Sequence, residues 1–245
     1  MKKYFFILFA AITLVACNDD DDYSLDKQWL DMATVENPNN SSYFFLRSDN
    51  NGLLWMGATD LYGYQPKTGQ RVIANFTLLN DKPEGSNYDH DIKLNDAYNV
   101  LTKGIFDITP ATQDSIGNDP VGLSELWIRN DFLNMRFYYP GYNKIHYISL
   151  VRDASKSYED GKIHLEFRHN AHSDEKRYTY SGIVSFNLTS LKTLTTEKSL
   201  ELVIHVKNLD GIESTHELQY KFDEDTGTYI LNDEIFDKGK EIKVE

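Results

Sequence analysis

Hydrophobic side chains recur at every second position in much of this chain, and that period of two restricts it to β-structure. Val72, Ala74, Phe76 and Leu78 alternate with Arg71, Asn75 and Thr77, and Ile163, Leu165 and Phe167 alternate with His164, Glu166 and Arg168. Tyr180, Gly182, Val184, Phe186 and Leu188 repeat the pattern, as do Leu200, Leu202, Ile204 and Val206, and then Leu218, Tyr220 and Phe222. Successive side chains of a strand point to opposite faces, so each run describes a strand with one buried and one wet face. The 3.6-residue period of an amphipathic helix is hard to find. Turn signals separate the runs: Asp49-Asn50-Asn51-Gly52, Lys67-Thr68-Gly69, Glu159-Asp160-Gly161, Leu209-Asp210-Gly211 and Asp225-Thr226-Gly227. The expectation is an all-β protein of many short antiparallel strands.

Residues 109–122, Thr-Pro-Ala-Thr-Gln-Asp-Ser-Ile-Gly-Asn-Asp-Pro-Val-Gly, are too rich in Pro, Gly and small polar residues for a buried strand and are read as a linker. Residues 28–108 hold about five strand-like runs, the number an OB-type barrel requires. Residues 123–245 hold about six or seven, as a β-sandwich would. With 40% hydrophobic residues, sixteen Tyr and thirteen Phe, the composition is globular and favours strands.

The first residues carry a different signal. Lys2 and Lys3 precede an apolar run from Tyr4 to Val15, long enough for the core of a signal peptide and too short to span a bilayer, which takes about 20 residues. Leu14-Val15-Ala16-Cys17, with the single cysteine of the 245 residues, resembles the lipobox of bacterial lipoproteins. That resemblance implies cleavage of residues 1–16, a diacylglyceryl group on Cys17 and acylation of its new amine. An unpaired cysteine in an exported chain is otherwise a reactive liability. Two or more acyl chains hold a protein stably to a membrane. Residues 17–27 then read as an acidic tether, extended by the mutual repulsion of Asp19, Asp20, Asp21 and Asp22. The four aspartates also resemble the export signal of surface lipoproteins of Gram-negative anaerobes, which implies a lipid-anchored, cell-surface position on the outer membrane.

Without residues 1–16 the chain keeps 229 residues and a net charge of −15, two below the −13 of the whole because Lys2 and Lys3 leave with them. Such a balance repels phosphate backbones, so nucleic acid is not an expected partner. The expected contacts are the membrane, through lipidated Cys17, and a surface protein or a glycan.

No catalytic set is expected. His216-Glu217-Leu218-Gln219-Tyr220 begins like the zinc motif H-E-x-x-H, but Tyr220 stands where the second histidine is needed and the segment alternates as a strand. His164-Leu165-Glu166 shares the H-x-E of zinc deaminases without the required cysteine pair. His164, His169 and His172, with Asp174, form the densest group of potential ligands. On a strand 164 and 169 face opposite ways, so the expectation is that Arg168-His169-Asn170 ends a strand and ties the next loop by hydrogen bonds. Asp223-Glu224-Asp225-Thr226-Gly227 lacks the ligand spacing of a calcium loop and reads as a hairpin tip. No P-loop, G-x-S-x-G or G-x-G-x-x-G occurs, and neither a metal nor another cofactor is expected.

Aromatics carry the argument for binding. Trp55, Tyr62 and Tyr64 flank a glycine-containing segment, and Tyr139 and Tyr142 surround Pro140-Gly141. Such rings stack on flat ligands and are enriched at interfaces, although alternate aromatics also fill β cores. Asp114-Ser115-Ile116 resembles a short bacterial O-glycosylation sequon, which marks Ser115 for a glycan.

Gly69-Gln70-Arg71-Val72-Ile73-Ala74-Asn75-Phe76, Phe132-Leu133-Asn134-Met135-Arg136-Phe137 and Leu165-Glu166-Phe167-Arg168-His169-Asn170-Ala171, behind the lipobox and acidic tail, resemble the NigD-like lipoproteins. The resemblance implies an N-terminal OB-like domain and a C-terminal β-sandwich. The family is named after a bacteriocin-associated gene cluster, where an immunity role was suggested from neighbourhood alone. The leading expectation is a non-catalytic, surface-anchored interaction or ligand-binding module. The alternatives are a glycan-binding accessory protein or glycan-processing enzyme with an unrecognised carboxylate pair, and a bacteriocin immunity protein.

Overall fold

The computed structural model describes residues 27–37, 41–81, 84–222 and 229–231. The signal peptide, Cys17, the aspartates 19–22 and the 223–227 hairpin tip lie outside the described residues.

Five strands, β1 (Trp29–Glu36), β2 (Phe45–Ser48), β3 (Leu53–Thr59), β4 (Arg71–Asp81) and β5 (His90–Asn99), close a barrel in the order β1-β2-β3-β5-β4. This is the five-stranded OB arrangement expected from the sequence. Val35, Leu46, Leu54, Met56, Val72, Ala74, Phe76, Ile92 and Leu94 fill its interior. Each fully buried branched or aromatic side chain stabilises the barrel by roughly 1.5–3 kcal/mol against exposure. Gly52, Gly69, Gly161 and Gly211, the described glycines of the turn signals read from the sequence, all have the positive φ that side-chain-bearing residues rarely adopt.

The second domain contains β6 (Leu101–Ile108), a one-turn helix α1 (Gln113–Ile116), and strands β7 (Gly122–Arg129), β8 (Phe132–Gly141), β9 (Tyr147–Asp153), β10 (Ile163–Asn170), β11 (Tyr178–Asn187), β12 (Ser199–Lys207), β13 (Glu213–Lys221) and β14 (Tyr229–Leu231). Their order is β13-β12-β10-β9-β6-β11-β8-β7-β14. β6 pairs with β11 through Leu101–Gly104 and with β9 through Ile105–Ile108, so it passes from one layer of the sandwich to the other. Between the layers lie Leu126, Leu133, Met135, Phe137, Leu150, Leu165, Phe167, Val184, Phe186, Leu202 and Ile204. Phe167 meets Phe137 and Phe186 edge-on, with centroids 5.3 and 6.1 Å away. Gly122 admits the Tyr138 ring of the neighbouring strand, which an added Cβ would meet at 2.0 Å.

Three sequence expectations are corrected. Residues 101–108 were assigned to the barrel, yet they form a sandwich strand. The barrel is already closed by the β1–β4 and β4–β5 ladders, and Val100, whose N–H donates to the Arg71 carbonyl at 2.9 Å, is the single residue of chain between β5 and β6. The Pro- and Gly-rich stretch 109–122 is therefore a loop within the second domain. It is tied to the end of β10, where the Asp119 N–H donates to the His169 carbonyl and the Asp119 carboxylate accepts from the Ala171 N–H, both at 2.7 Å. The sandwich is also not purely antiparallel, because β6–β9, β6–β11 and β10–β12 run parallel.

The barrel docks on the outer face of β7 and β8 through a polar knot. Fully buried Arg71 grips Asp49 with two hydrogen bonds of 2.8 and 2.6 Å and reaches Asn134 of β8 at 3.2 Å. Ser185 of β11 donates to the same Asn134 oxygen at 2.7 Å. Arg129 donates to the Asp49 carbonyl, and Asn130 to its carboxylate. A buried charge left without its partner is costly, so the Arg71–Asp49 pair holds rigid, on the barrel side, the groups that Asn134, Arg129 and Asn130 of the sandwich engage.

Candidate functional site

The β2–β3 hairpin positions a partly exposed group of four aromatic rings. Ser48 N–H donates to Gly52 O at 2.9 Å, and Asp89 binds the Leu53 N–H at 2.8 Å, which closes the turn and sets Phe45 directly across from Trp55. Leu46, Leu54 and Met56 point inward, so Phe45 and Trp55 must point out. Their centroids are 4.7 Å apart. Tyr43, 55% exposed, stacks on Trp55 at 6.2 Å, and Tyr88 lies 5.9 Å from Phe45 and 6.3 Å from Trp55.

Polar groups border these four rings. Glu36 pairs with Phe45 across β1–β2 and forms an exposed 2.6 Å ion pair with Arg47. Asp91 pairs with Trp55 across β3–β5. Burial, with the hydrogen bond and charge of Asp91, raises the Tyr88 phenol above its ordinary pKa, so it remains a hydroxyl donor. Apolar faces with carboxylate acceptors and a guanidinium donor suit a ligand that presents both C–H surfaces and hydroxyls. This is also the strand 2–3 face on which OB folds bind oligonucleotides and oligosaccharides.

The five aromatics singled out from the sequence do not converge. Trp55 belongs to the ring cluster. Tyr62 is 99% exposed, with no ring contact among the described residues. Tyr64 packs edge-on against Phe44 at 6.1 Å and covers one end of the barrel core. Tyr139 is sandwiched among Phe137, Tyr180, His146 and His169. Tyr142 lies under the Arg177 guanidinium, 4.2 Å from its ring. The sequence reading missed Tyr43, Phe45 and Tyr88. The signal for the first two was the Asp49–Gly52 turn, about which Phe45 and Trp55 are nearly equidistant. Ser115 is exposed on α1, its hydroxyl donating to the Thr112 carbonyl at 2.8 Å.

The histidines are organised into two separate chains. β10 runs straight through to Asn170, which leaves His164 and His169 on opposite faces. Inside one end of the sandwich, Asp174 contacts His146 Nε2 at 3.1 Å and His146 Nδ1 meets His169 Nε2 at 2.7 Å. Burial opposes ionisation of Asp174, but the Tyr142 N–H, the His146 ring and the Asn143 and Lys144 N–H groups outweigh it and hold the carboxyl below its usual range. Burial, reinforced by His146, lowers the pKa of His169. On the outer face, Asp160, His164, His205 and Glu213 link in sequence at 3.0, 2.8 and 2.8 Å, with Tyr158 stacked on His164 at 3.5 Å. Beside them Glu166 holds Lys156 and Arg168 in a polar recess of about 460 Å³. Among the described residues no group of three His, Cys, Asp or Glu side chains is arranged to hold a metal. His216 lies on β13 with its ring 3.1 Å from Ser214, and Tyr220 donates to Asp131 at 2.7 Å.

The NigD-like N-terminal OB domain matches residues 32–100, and the NigD-like C-terminal β-sandwich domain matches residues 104–220. The chain belongs to the NigD-like family. The two matches meet at the β5–β6 junction, where the barrel closes. Among solved structures, a protein described as toxin-related from Parabacteroides distasonis is 34% identical, with TM-score 0.69 over 80% of this chain and 95% of the other. A Bacteroides vulgatus protein of unknown function is 29% identical, with TM-score 0.69 over 80% and 92%. A protein called a NigD-like immunity protein, from Bacteroides caccae, shares the fold at 20% identity, with TM-score 0.62 over 80% and 98%. No curated protein matches the chain.

Proposed function

We propose that this NigD-like protein is a non-catalytic binding module, held by lipidated Cys17 on the outer membrane and facing outward, and that the rings on its barrel bind glycan. The observation that carries the reading is the partly exposed cluster of Tyr43, Phe45, Trp55 and Tyr88 on the outer face of β2–β3. Tyr43 is 55% exposed and the other three rings are half-buried, so the group offers solvent-facing aromatic surface on which a ligand can stack. The bordering Glu36, Arg47 and Asp91 favour a neutral, hydroxyl-rich ligand over a polyanion, in keeping with the net charge of −13.

Calorimetric titration of the mature chain with neutral plant and mucin oligosaccharides tests the glycan reading. Binding that Trp55→Ala abolishes and Tyr62→Ala leaves intact is the expected result. Binding unaffected by Trp55→Ala removes the ring cluster from consideration, and cleavage of the oligosaccharide overturns the non-catalytic reading. Placement is tested separately by protease treatment of intact cells, with Cys17→Ser expected to release the protein from the membrane.

A further inference from the structure

A cavity lies where the domains meet, lined by residues other than the β2–β3 rings. Beside the Arg71–Asp49 knot a cleft of about 870 Å³ opens between the barrel and the sandwich. Its size falls within the roughly 300–1,000 Å³ of small-molecule sites, which occur preferentially at domain interfaces. One wall is Leu30, Ile73 and Tyr98 of the barrel, the other Trp127 and Ile183 of the sandwich. Leu30 is 69% and Tyr98 50% exposed, so the barrel presents bare apolar surface to a tryptophan across the gap.

The charges in the cleft are unequally engaged. Asp49 is held by Arg71, and Glu125 by Arg136 at 3.0 Å. Asp31 accepts hydrogen bonds from Ser48, from the backbone and side chain of Asn50, from Asn51 and from the Met32 N–H. Arg129 differs. Its Nε donates to the Asp49 carbonyl, while its two terminal nitrogens have no partner among the described residues. A fixed guanidinium edge beside an apolar slot is the arrangement that recognises a planar oxyanion on a hydrophobic body.

We propose that this cleft binds an amphipathic anion, its apolar body between Leu30, Tyr98 and Trp127 and its carboxylate or sulfonate on Arg129. The cleft shares no residue with the ring cluster, so the two sites can be tested separately.

The probe is 1-anilinonaphthalene-8-sulfonate, titrated into the mature chain and followed by its own emission and by energy transfer from tryptophan. N-phenyl-1-naphthylamine, which keeps the aromatic body and lacks the sulfonate, is the control. Saturable one-to-one binding of the sulfonate is expected, weakened about tenfold or more by Arg129→Gln, the worth of one charge-assisted hydrogen bond. Leu30→Glu, at an exposed position that leaves the fold intact, should abolish it, and Trp55→Ala should leave it unchanged. The proposal is overturned by absence of saturable binding, by equal affinity for both dyes, by binding that survives Leu30→Glu, or by binding that Trp55→Ala removes.

Discussion

The two domains place their polar and aromatic chemistry differently. In the barrel an apolar core holds Phe44 and Phe76 inside, while Tyr43, Phe45, Trp55 and Tyr88 form a group of rings outside, at β2–β3. In the sandwich Phe137, Phe167, Phe186 and Tyr220 are interior, the exposed rings such as Tyr142 and Tyr158 are engaged by Arg177 and His164, and histidines, carboxylates and cations are bound to one another in chains. Groups already paired are poorly placed to meet a ligand, because each new contact must replace a good one. On the proposed function, recognition falls to the barrel face and the seam, and support to the sandwich.

The hardest test of that division is at the seam. Arg71→Met leaves Asp49 buried without its cation and should cost about 3–5 kcal/mol in urea unfolding, with Arg71→Met/Asp49→Asn recovering part of the loss. A loss below about 1 kcal/mol would show that the domains do not depend on the pair. Next in size is Tyr220→Phe in the sandwich. It removes a hydrogen bond to Asp131 and should cost about 1.5–3 kcal/mol. Burial, with the hydrogen bond and charge of Asp131, keeps that phenol protonated at any ordinary pH, so the cost should not vary with alkaline pH.

Trp55→Ala should lower stability by no more than about 1.5 kcal/mol, the value of its ring contacts, while removing oligosaccharide binding. A larger loss of stability would make the cluster a structural one and erase the contrast between domains. The smallest effect expected is on pH dependence. His169 has a lowered pKa in the folded protein, so folding favours its neutral form; this contribution is complete above the unfolded value of about 6.5 and is lost as pH falls below it. The lowered pKa of Asp174 adds a further loss in stronger acid, below about 4. Melting temperatures measured from pH 8 to 5 should decline, and His169→Gln should flatten the decline.

Most of the fold was legible because alternation and burial coincide. Val72, Ala74 and Phe76, then Leu165 and Phe167, then Leu202, Ile204 and Val206, all occupy the core as their spacing implies. The alternation misled where the wet face is covered: Arg71, Glu166 and Arg168 lie on polar faces yet are buried, under the sandwich in the first case and against the 109–122 loop and Lys156 in the others. β6 was unreadable for a related reason. Of its eight residues only Ile108 is buried, so it carries no strong period, and its partners are far away in sequence. In the candidate site, Trp55 was visible as an isolated aromatic near glycines. Tyr88 reaches the cluster from the other side of the β4 hairpin, and no local pattern connects it to Trp55.

The shared strand β6 also fixes an order of events. The barrel has all five strands once Asn99 is present, whereas Leu101 must wait for Val184 and Ile105 for Leu150 before the sandwich can form. Contacts so distant in sequence are slow to form and leave strand edges open meanwhile. As the chain is made from its N-terminus, the N-terminal half can therefore reach its final form while the second still has open strand edges. The interval between the two is the period in which this protein is most exposed to aggregation and proteolysis.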